Sequence, residues 1–183
     1  EILKHSLIMN KKFFTYLEKN AENILKLKKP FLEKAIFQSC LIKKKIIEKD
    51  EREKNIRQIL NFGHTFAHAF EATNNYLKKL NHGEAVLLGI ICAINFAYQN
   101  NNIKKNDYKK IIHHYRKLNL PMNVKKFFSG KNIKKILSFM NKDKKNNNSN
   151  INLVLLNKIG SVNFNCQFTD SKINRFLKIE LVN

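Results

Sequence analysis

The sequence predicts a mostly α-helical domain, and three observations carry that expectation. Apolar residues recur at spacings of three and four through most of the 183 residues, the mark of helices with one buried face. Strand-like alternation is confined to a stretch near the C-terminus, on either side of Lys158-Ile159-Gly160. Hydrophobic residues make up 43% and aromatics 10% of the chain, enough to fill one core of this size.

The first helical pattern covers Ile2 to Asn20, as one or two helices ending near Ala21-Glu22-Asn23. Pro30 suits a first-turn position, where its missing N–H costs nothing, so the next helix is expected from there to about Lys49. Asp50 opens a further pattern, Glu51 to Thr73, closed by Asn74-Asn75. His82 to Gln99 is apolar nearly all round, which predicts a central position in the core. Its apolar run, Ala85 to Tyr98, is interrupted by Asn95 and is shorter than a bilayer span. Lys105 to Leu118 and Ile133 to Met140 read as amphipathic helices separated by Pro121. Asn141 to Asn150 is a polar loop, Ile151 to Leu156 and Val162 to Phe164 predict a short hairpin, and Ser171 to Leu181 closes the chain as a helix. With no repeat and no long linker, residues 1–183 are expected to form a single domain.

A net charge of +21 invites a nucleic-acid partner. Composition argues against one: 31 of the 35 basic residues are Lys and only four are Arg, the residue that planar phosphate and base recognition favours. Lys, Asn and Ile supply 79 residues, all from A/T-rich codons, so drift toward an A/T-rich composition accounts for the charge. Cys40, Cys92 and Cys166 are scattered without a CxxC, which predicts a reducing compartment. Nothing at the start resembles a signal peptide, so the expected location is cytoplasmic, with no membrane partner.

Two segments break the pattern of apolar faces inside and charges outside. Lys43 falls within the stripe Leu32, Ile36, Cys40 and Ile47, so it either snorkels to the rim or meets a ligand. Arg57, Asn61, His64, His68 and Glu71 step by four, three, four and three, which on one continuous helix is a polar row about 16 Å long. Phe62, Phe66 and Phe70 cover another face of that helix. Surface stripes elsewhere in the chain are Lys-rich and this one has no Lys, so a ligand or metal is one way to satisfy it. His64 and His68 are spaced to chelate zinc from a single helix turn, and His82-Gly83-Glu84 opens the next helix. An anionic, oxygen-rich substrate beside a metal suits this mixture of groups.

The segments Asp50-Glu51-Arg52-Glu53, Ile56-Arg57, Leu60-Asn61-Phe62-Gly63-His64-Thr65-Phe66-Ala67-His68-Ala69-Phe70-Glu71 and His82-Gly83-Glu84-Ala85-Val86 resemble the signature of 3-dehydroquinate synthases. Glu1-Ile2-Leu3-Lys4-His5 resembles the start of that family's C-terminal domain, and Ser39 to Lys43 its Ser-x-x-x-Lys helix. Leu120-Pro121 resembles its Gly-Leu-Pro turn with Asn119 in place of Gly, and Met140 with Asp143-Lys144-Lys145 its Met-x-x-Asp-Lys-Lys loop. Ala67 stands where the family usually has Gly.

The resemblance implies the helical C-terminal domain of a two-domain α/β + α enzyme. It implies an NAD- and metal-dependent carbon–oxygen lyase of the shikimate pathway, turning 3-deoxy-D-arabino-heptulosonate 7-phosphate into 3-dehydroquinate and phosphate. Carried over residue by residue, it implies Glu1, His64 and His82 as ligands of a divalent metal, zinc by preference and cobalt as the alternative. His68 becomes a substrate-side histidine near the departing phosphate, and Lys43, Arg57 and Asn61 join it as catalytic and substrate-holding groups. Lys4, Glu53 and one of Lys144 and Lys145 become substrate contacts. It further implies a small anionic sugar-phosphate substrate and a homodimer.

The chain has no GxG turn and only five Gly, so the NAD-binding domain is expected upstream. This chain is then a fragment, expected to fold and hold metal but not to turn over by itself. The competing expectations are a related sugar-phosphate cyclase or a metal-dependent polyol dehydrogenase, a basic helical nucleic-acid-binding module, and a decayed remnant.

Overall fold

The computed structural model describes residues 1–75, 80–142 and 150–182. The first helical pattern divides at Asn10, whose extended backbone ends α1 (Ile2–Met9) and whose side chain accepts the Phe13 N–H to cap α2 (Lys11–Leu25). α2 thus runs beyond the expected stop at Ala21 to Asn23. α3 (Phe31–Lys49) turns back along α2, with the Tyr16 hydroxyl donating to the Phe31 carbonyl at 3.2 Å.

The buried face of α3 is Ala35, Ser39, Ile42 and Ile46, not the stripe expected to bury Lys43. Ile36 and Cys40 are exposed, and so is Lys43. Two interleaved rows of spacing three and four were available on this helix, and packing chose the one with the smaller residues.

The single helix expected over Glu51–Thr73 does not form. The Asp50 carboxylate accepts the N–H groups of Lys54, Asn55 and Arg57 at 3.0, 2.7 and 3.0 Å, tying the segment into a turn. A 3-10 helix follows over Ile56–Asn61, then Gly63 takes a left-handed conformation (φ 80°) and α4 starts afresh at His64 and ends at Thr73. Arg57 and Asn61 therefore do not share a helix with His64, His68 and Glu71.

The turn has a packing cause as well. A Cβ on Gly63 would lie 2.7 Å from the backbone nitrogen of Ile90, and one on Gly89 would lie 2.1 Å from the Gly63 carbonyl oxygen. Main chain meets main chain there, between α4 and α5 (His82–Gln99).

α5 is the axis of the core, as its composition predicts. Ala85, Leu88, Ile90, Ile91, Cys92, Ile94 and Phe96 are all buried. It begins with a capping box in which the Asn81 side chain accepts the Glu84 N–H and Glu84 returns the bond to the Asn81 N–H. Phe66 of α4 and Phe96 of α5 both meet Phe176 of the last helix, with ring centroids 5.8 and 5.1 Å apart.

α6 (Lys105–Lys117) and α7 (Ile133–Asn141) follow, then the antiparallel hairpin β1 (Asn150–Lys158) and β2 (Ser161–Thr169), longer than expected, and α8 (Asp170–Leu181). The Gly160 N–H at the hairpin tip donates to the Leu7 carbonyl at 2.7 Å, docking the hairpin on α1. Among the described residues no helix is long and apolar enough to cross a membrane.

Candidate active site

Five chain segments meet around a cavity of about 230 Å³. α1 and the residue before it supply Glu1, Lys4 and His5, and α3 supplies Lys43 from the flank of its buried face. The Asp50 turn supplies Glu53, the 3-10 helix supplies Arg57, Leu60 and Asn61, and the start of α4 supplies His64. Seven residues expected from the sequence thus line one space: Glu1, Lys4, Lys43, Glu53, Arg57, Asn61 and His64.

His68 and His82 are not in its lining but stand beside His64, with ring centroids 5.4 and 6.1 Å from it. Lys144 and Lys145 lie outside the described residues. Sequence reasoning missed His5 and Leu60; the available signal for His5 was its position four residues after Glu1, one helical turn on.

Local bonds hold these groups in place. Asn61 Nδ2 donates to Glu53 Oε1 at 2.7 Å, and the Arg57 guanidinium donates to the Glu51 carbonyl. Lys4, only 2% exposed, donates from Nζ to Glu1 Oε1 at 2.9 Å. Burial pushes the Glu1 carboxyl up, but the Lys4 hydrogen bond and charge outweigh it and bring the group down to about 2. Burial, aided by the Lys4 charge, lowers His64 to about 4 and does the same to His5. Both imidazoles are therefore neutral near pH 7.

The fit to a metal ion can be judged from the lone pairs. His64 Nδ1 lies 3.3 Å from the Phe62 carbonyl, which can only accept, so the proton sits on Nδ1. That leaves the Nε2 lone pair facing Glu1 Oε1 at 3.8 Å. Lys4 Nζ already donates to that oxygen at 2.9 Å, and a metal ion bridging Nε2 and Oε1 would use the lone pairs that remain. Donor atoms about 2.1 Å from one tetrahedral zinc stand about 3.4 Å apart, close to the observed spacing.

On the far side, His82 Nδ1 donates to Glu71 Oε1 at 2.9 Å, which leaves its Nε2 as the free donor atom. Among the described residues no three His, Cys, Asp or Glu side chains are gathered on one point. The donor types fit a divalent metal, and the Glu1–His64 pair has suitable spacing.

Known proteins resemble the chain in sequence and in fold. Residues 1–146 match the family model described as 3-dehydroquinate synthase C-terminal. A 3-dehydroquinate synthase of Pelagibacter ubique (strain HTCC1062) is 58% identical over 181 residues, covering 99% of this chain and 49% of the relative. That of Endomicrobium trichonymphae is 39% identical over 161 residues, covering 87% of this chain and 43% of the relative. The chain spans about half the length of these relatives.

Among solved structures, the 2-epi-5-epi-valiolone synthase of Streptomyces hygroscopicus subsp. jinggangensis 5008, with NAD+ and Zn2+ bound, superposes with a TM-score of 0.81 at 19% identity, over 97% of this chain and 48% of that one. A 2-deoxy-scyllo-inosose synthase complexed with carbaglucose-6-phosphate, NAD+ and Co2+ gives 0.78 at 23% identity, over 98% of this chain and 50% of that one. At those identities the likeness is one of fold. From the match over residues 1–146 and the identities to whole synthases, the chain belongs to the 3-dehydroquinate synthase family, by its C-terminal region.

Proposed function

We propose that this chain is the metal- and substrate-holding half of a 3-dehydroquinate synthase, which converts 3-deoxy-D-arabino-heptulosonate 7-phosphate to 3-dehydroquinate and phosphate. The observation that carries the reading is the convergence of Glu1, Lys4, Lys43, Glu53, Arg57, Asn61 and His64, from five segments, on one cavity. Such a set suits a small substrate bearing two anionic groups among several hydroxyls, and a polyol without charge would leave its cations unmatched.

Glu1, His64 and His82 would hold the divalent metal, zinc or cobalt, with His64 and His82 each offering Nε2. A metal there would polarise the oxygen at which a ketone forms, and NAD, bound by a domain outside this chain, would take up and return the hydride. Lys43 and Arg57 hold substrate anions, each as a charge-assisted hydrogen-bond donor. Asn61, fixed by Glu53, offers its remaining amide hydrogen and carbonyl to hydroxyls. Exposed His68, next to His64, lies where it can accept or return a proton at the phosphate-bearing end. Holding both ends of the substrate sets the geometry for elimination and ring closure, the main contribution of such groups.

The same reading makes the full enzyme a homodimer; separately, the free thiols of Cys40, Cys92 and Cys166 suit a reducing cytoplasm. The isolated chain is expected to fold and bind metal without turnover. The test is phosphate release from the heptulosonate phosphate by the full-length protein with NAD and zinc, wild type against His64→Ala. Activity lost in the variant supports the reading. Turnover of sedoheptulose 7-phosphate in its place would assign the protein to a sister cyclase.

A further inference from the structure

Ser39 and His5 have no role in the function proposed above, yet both are buried beside it. His5, 3% exposed on α1, and Ser39, on the buried face of α3, meet with His5 Nδ1 2.7 Å from Ser39 Oγ. The other ring nitrogen, Nε2, is buried and has no hydrogen-bond partner among the described residues. It lies 3.5 Å from Glu1 Oε2, while the other oxygen of the same carboxylate, Oε1, faces His64.

A neutral imidazole has two ways to place its proton. With the proton on Nδ1, Ser39 accepts it, but a buried Nε2 lone pair is left facing a carboxylate oxygen. With the proton on Nε2, the Ser39 hydroxyl donates to Nδ1 and the Nε2–H lies beside Glu1 Oε2, 3.5 Å away and short of a formed hydrogen bond. Only the second arrangement sets an N–H, not a lone pair, beside the carboxylate oxygen.

A glutamate carboxylate otherwise turns readily about its last torsion, which is broad and two-fold. Lys4 Nζ holds Oε1 at 2.9 Å, and an N–H beside Oε2 favours the same orientation from the other side, with Oε1 toward His64. We propose that Ser39 and His5 are positioning residues: a buried hydroxyl–imidazole relay that, together with Lys4, sets the orientation of the Glu1 carboxylate toward the metal position. The inference rests on the reading of Glu1 and His64 as ligands. Partners of this kind behind metal ligands typically contribute about 10–100-fold in metal affinity.

The test uses the full-length protein that contains this chain, with two readouts. Imidazole ¹⁵N shifts without metal are expected to show His5 protonated at Nε2 in the wild type, and to lose that preference in Ser39→Ala. Cobalt(II) titration followed by visible absorption is expected to show about 10–100-fold weaker binding in His5→Phe. Binding should recover in part in His5→Gln, whose amide N–H can replace the Nε2 donor. Ser39→Ala and His5→Gln change little volume, so they keep the test informative if Phe disturbs packing. A wild-type His5 protonated at Nδ1 alone would overturn the relay. Equal cobalt affinity in wild type, His5→Phe and Ser39→Ala, with helical circular dichroism intact, would overturn it as well. A wild-type protein that binds cobalt no better than His64→Ala would overturn the ligand reading, and the inference with it.

Discussion

Glu71 holds His82 across the connection between α4 and α5, its Oε1 accepting the Nδ1–H at 2.9 Å. The carboxylate is 13% exposed and the imidazole 59%, so the acid is the fixed partner and the histidine the one that is aimed. Replacing Glu71 with Ala should free the ring and weaken metal binding about 10–100-fold, with Glu71→Gln, which can still accept the bond, losing less. Titration calorimetry with zinc on both variants checks this; equal affinities would show that His82 needs no such support.

Acid should destabilise the fold through its buried histidines. Burial holds His5, His64 and His114 at about 4, below the ordinary 6.5. The unfolded chain therefore binds more protons than the folded one between those values, and stability rises with pH across that window. It is present above about 6.5 and lost as pH falls toward 4. Glu1, brought down to about 2, acts in the same direction but at lower pH, with its contribution lost as pH falls from 4.5 through 2. Urea midpoints measured from pH 7.5 to 4 should fall most steeply below 6.5. His114→Gln, which leaves the cavity untouched, should flatten the slope.

Substrate binding should depend on Arg57. A hydrogen bond to a charged group contributes about 1.5–3 kcal/mol, so Arg57→Ala in the full-length protein should lower kcat/KM by roughly 10- to 150-fold. Arg57→Lys should recover only part of this, because an ammonium cannot reproduce the planar fork. Steady-state phosphate release gives the comparison, and a full rescue by Lys would reduce the role of Arg57 to that of a point charge.

Gly89→Ala should destabilise the domain by about 1–3 kcal/mol, the usual cost of forcing atoms into a filled interior. The methyl would meet the Gly63 carbonyl oxygen at 2.1 Å, so α4 and α5 must separate. Because His64 and His82 ride on those two helices, zinc affinity should fall together with the melting temperature. Ala at Gly83, where the nearest atom is 3.5 Å away, serves as the control with little effect on either.

Much of this was legible in the sequence because burial leaves a strong mark. α5 reads as central from its apolar run, and the hairpin from its alternation and Gly160. The segment from Asp50 to Gly63 was not legible, since a helical repeat in the side chains says nothing of an Asp side chain that captures three backbone N–H groups. Arg57, Asn61 and His64 still line one cavity, but a 3-10 turn and a left-handed glycine bring them there, not a shared helix face. Lys43 was picked from the wrong stripe of α3, yet reaches the cavity from the flank. His5 was not legible because its burial against Ser39, 34 residues on, depends on how α1 packs against α3, which no local spacing shows. The grouping of Glu1 with His64 came from the family resemblance, since no spacing rule joins residues so far apart in the chain.

The contact between Gly63 and Gly89 limits how this sequence can change. A composition dominated by Lys, Asn and Ile has only five glycines left. At three of them, Gly63, Gly89 and Gly160, any side chain would come within 2.1 to 2.8 Å of main-chain atoms. A clash with a neighbouring side chain can be relieved by a second mutation that trims the neighbour; a clash with a carbonyl or an amide nitrogen cannot. Mutational drift is therefore free to alter the solvent-facing residues of this domain but has no compensating route at these positions, and the separation of the two histidine-bearing helices stays fixed while the surface around them changes.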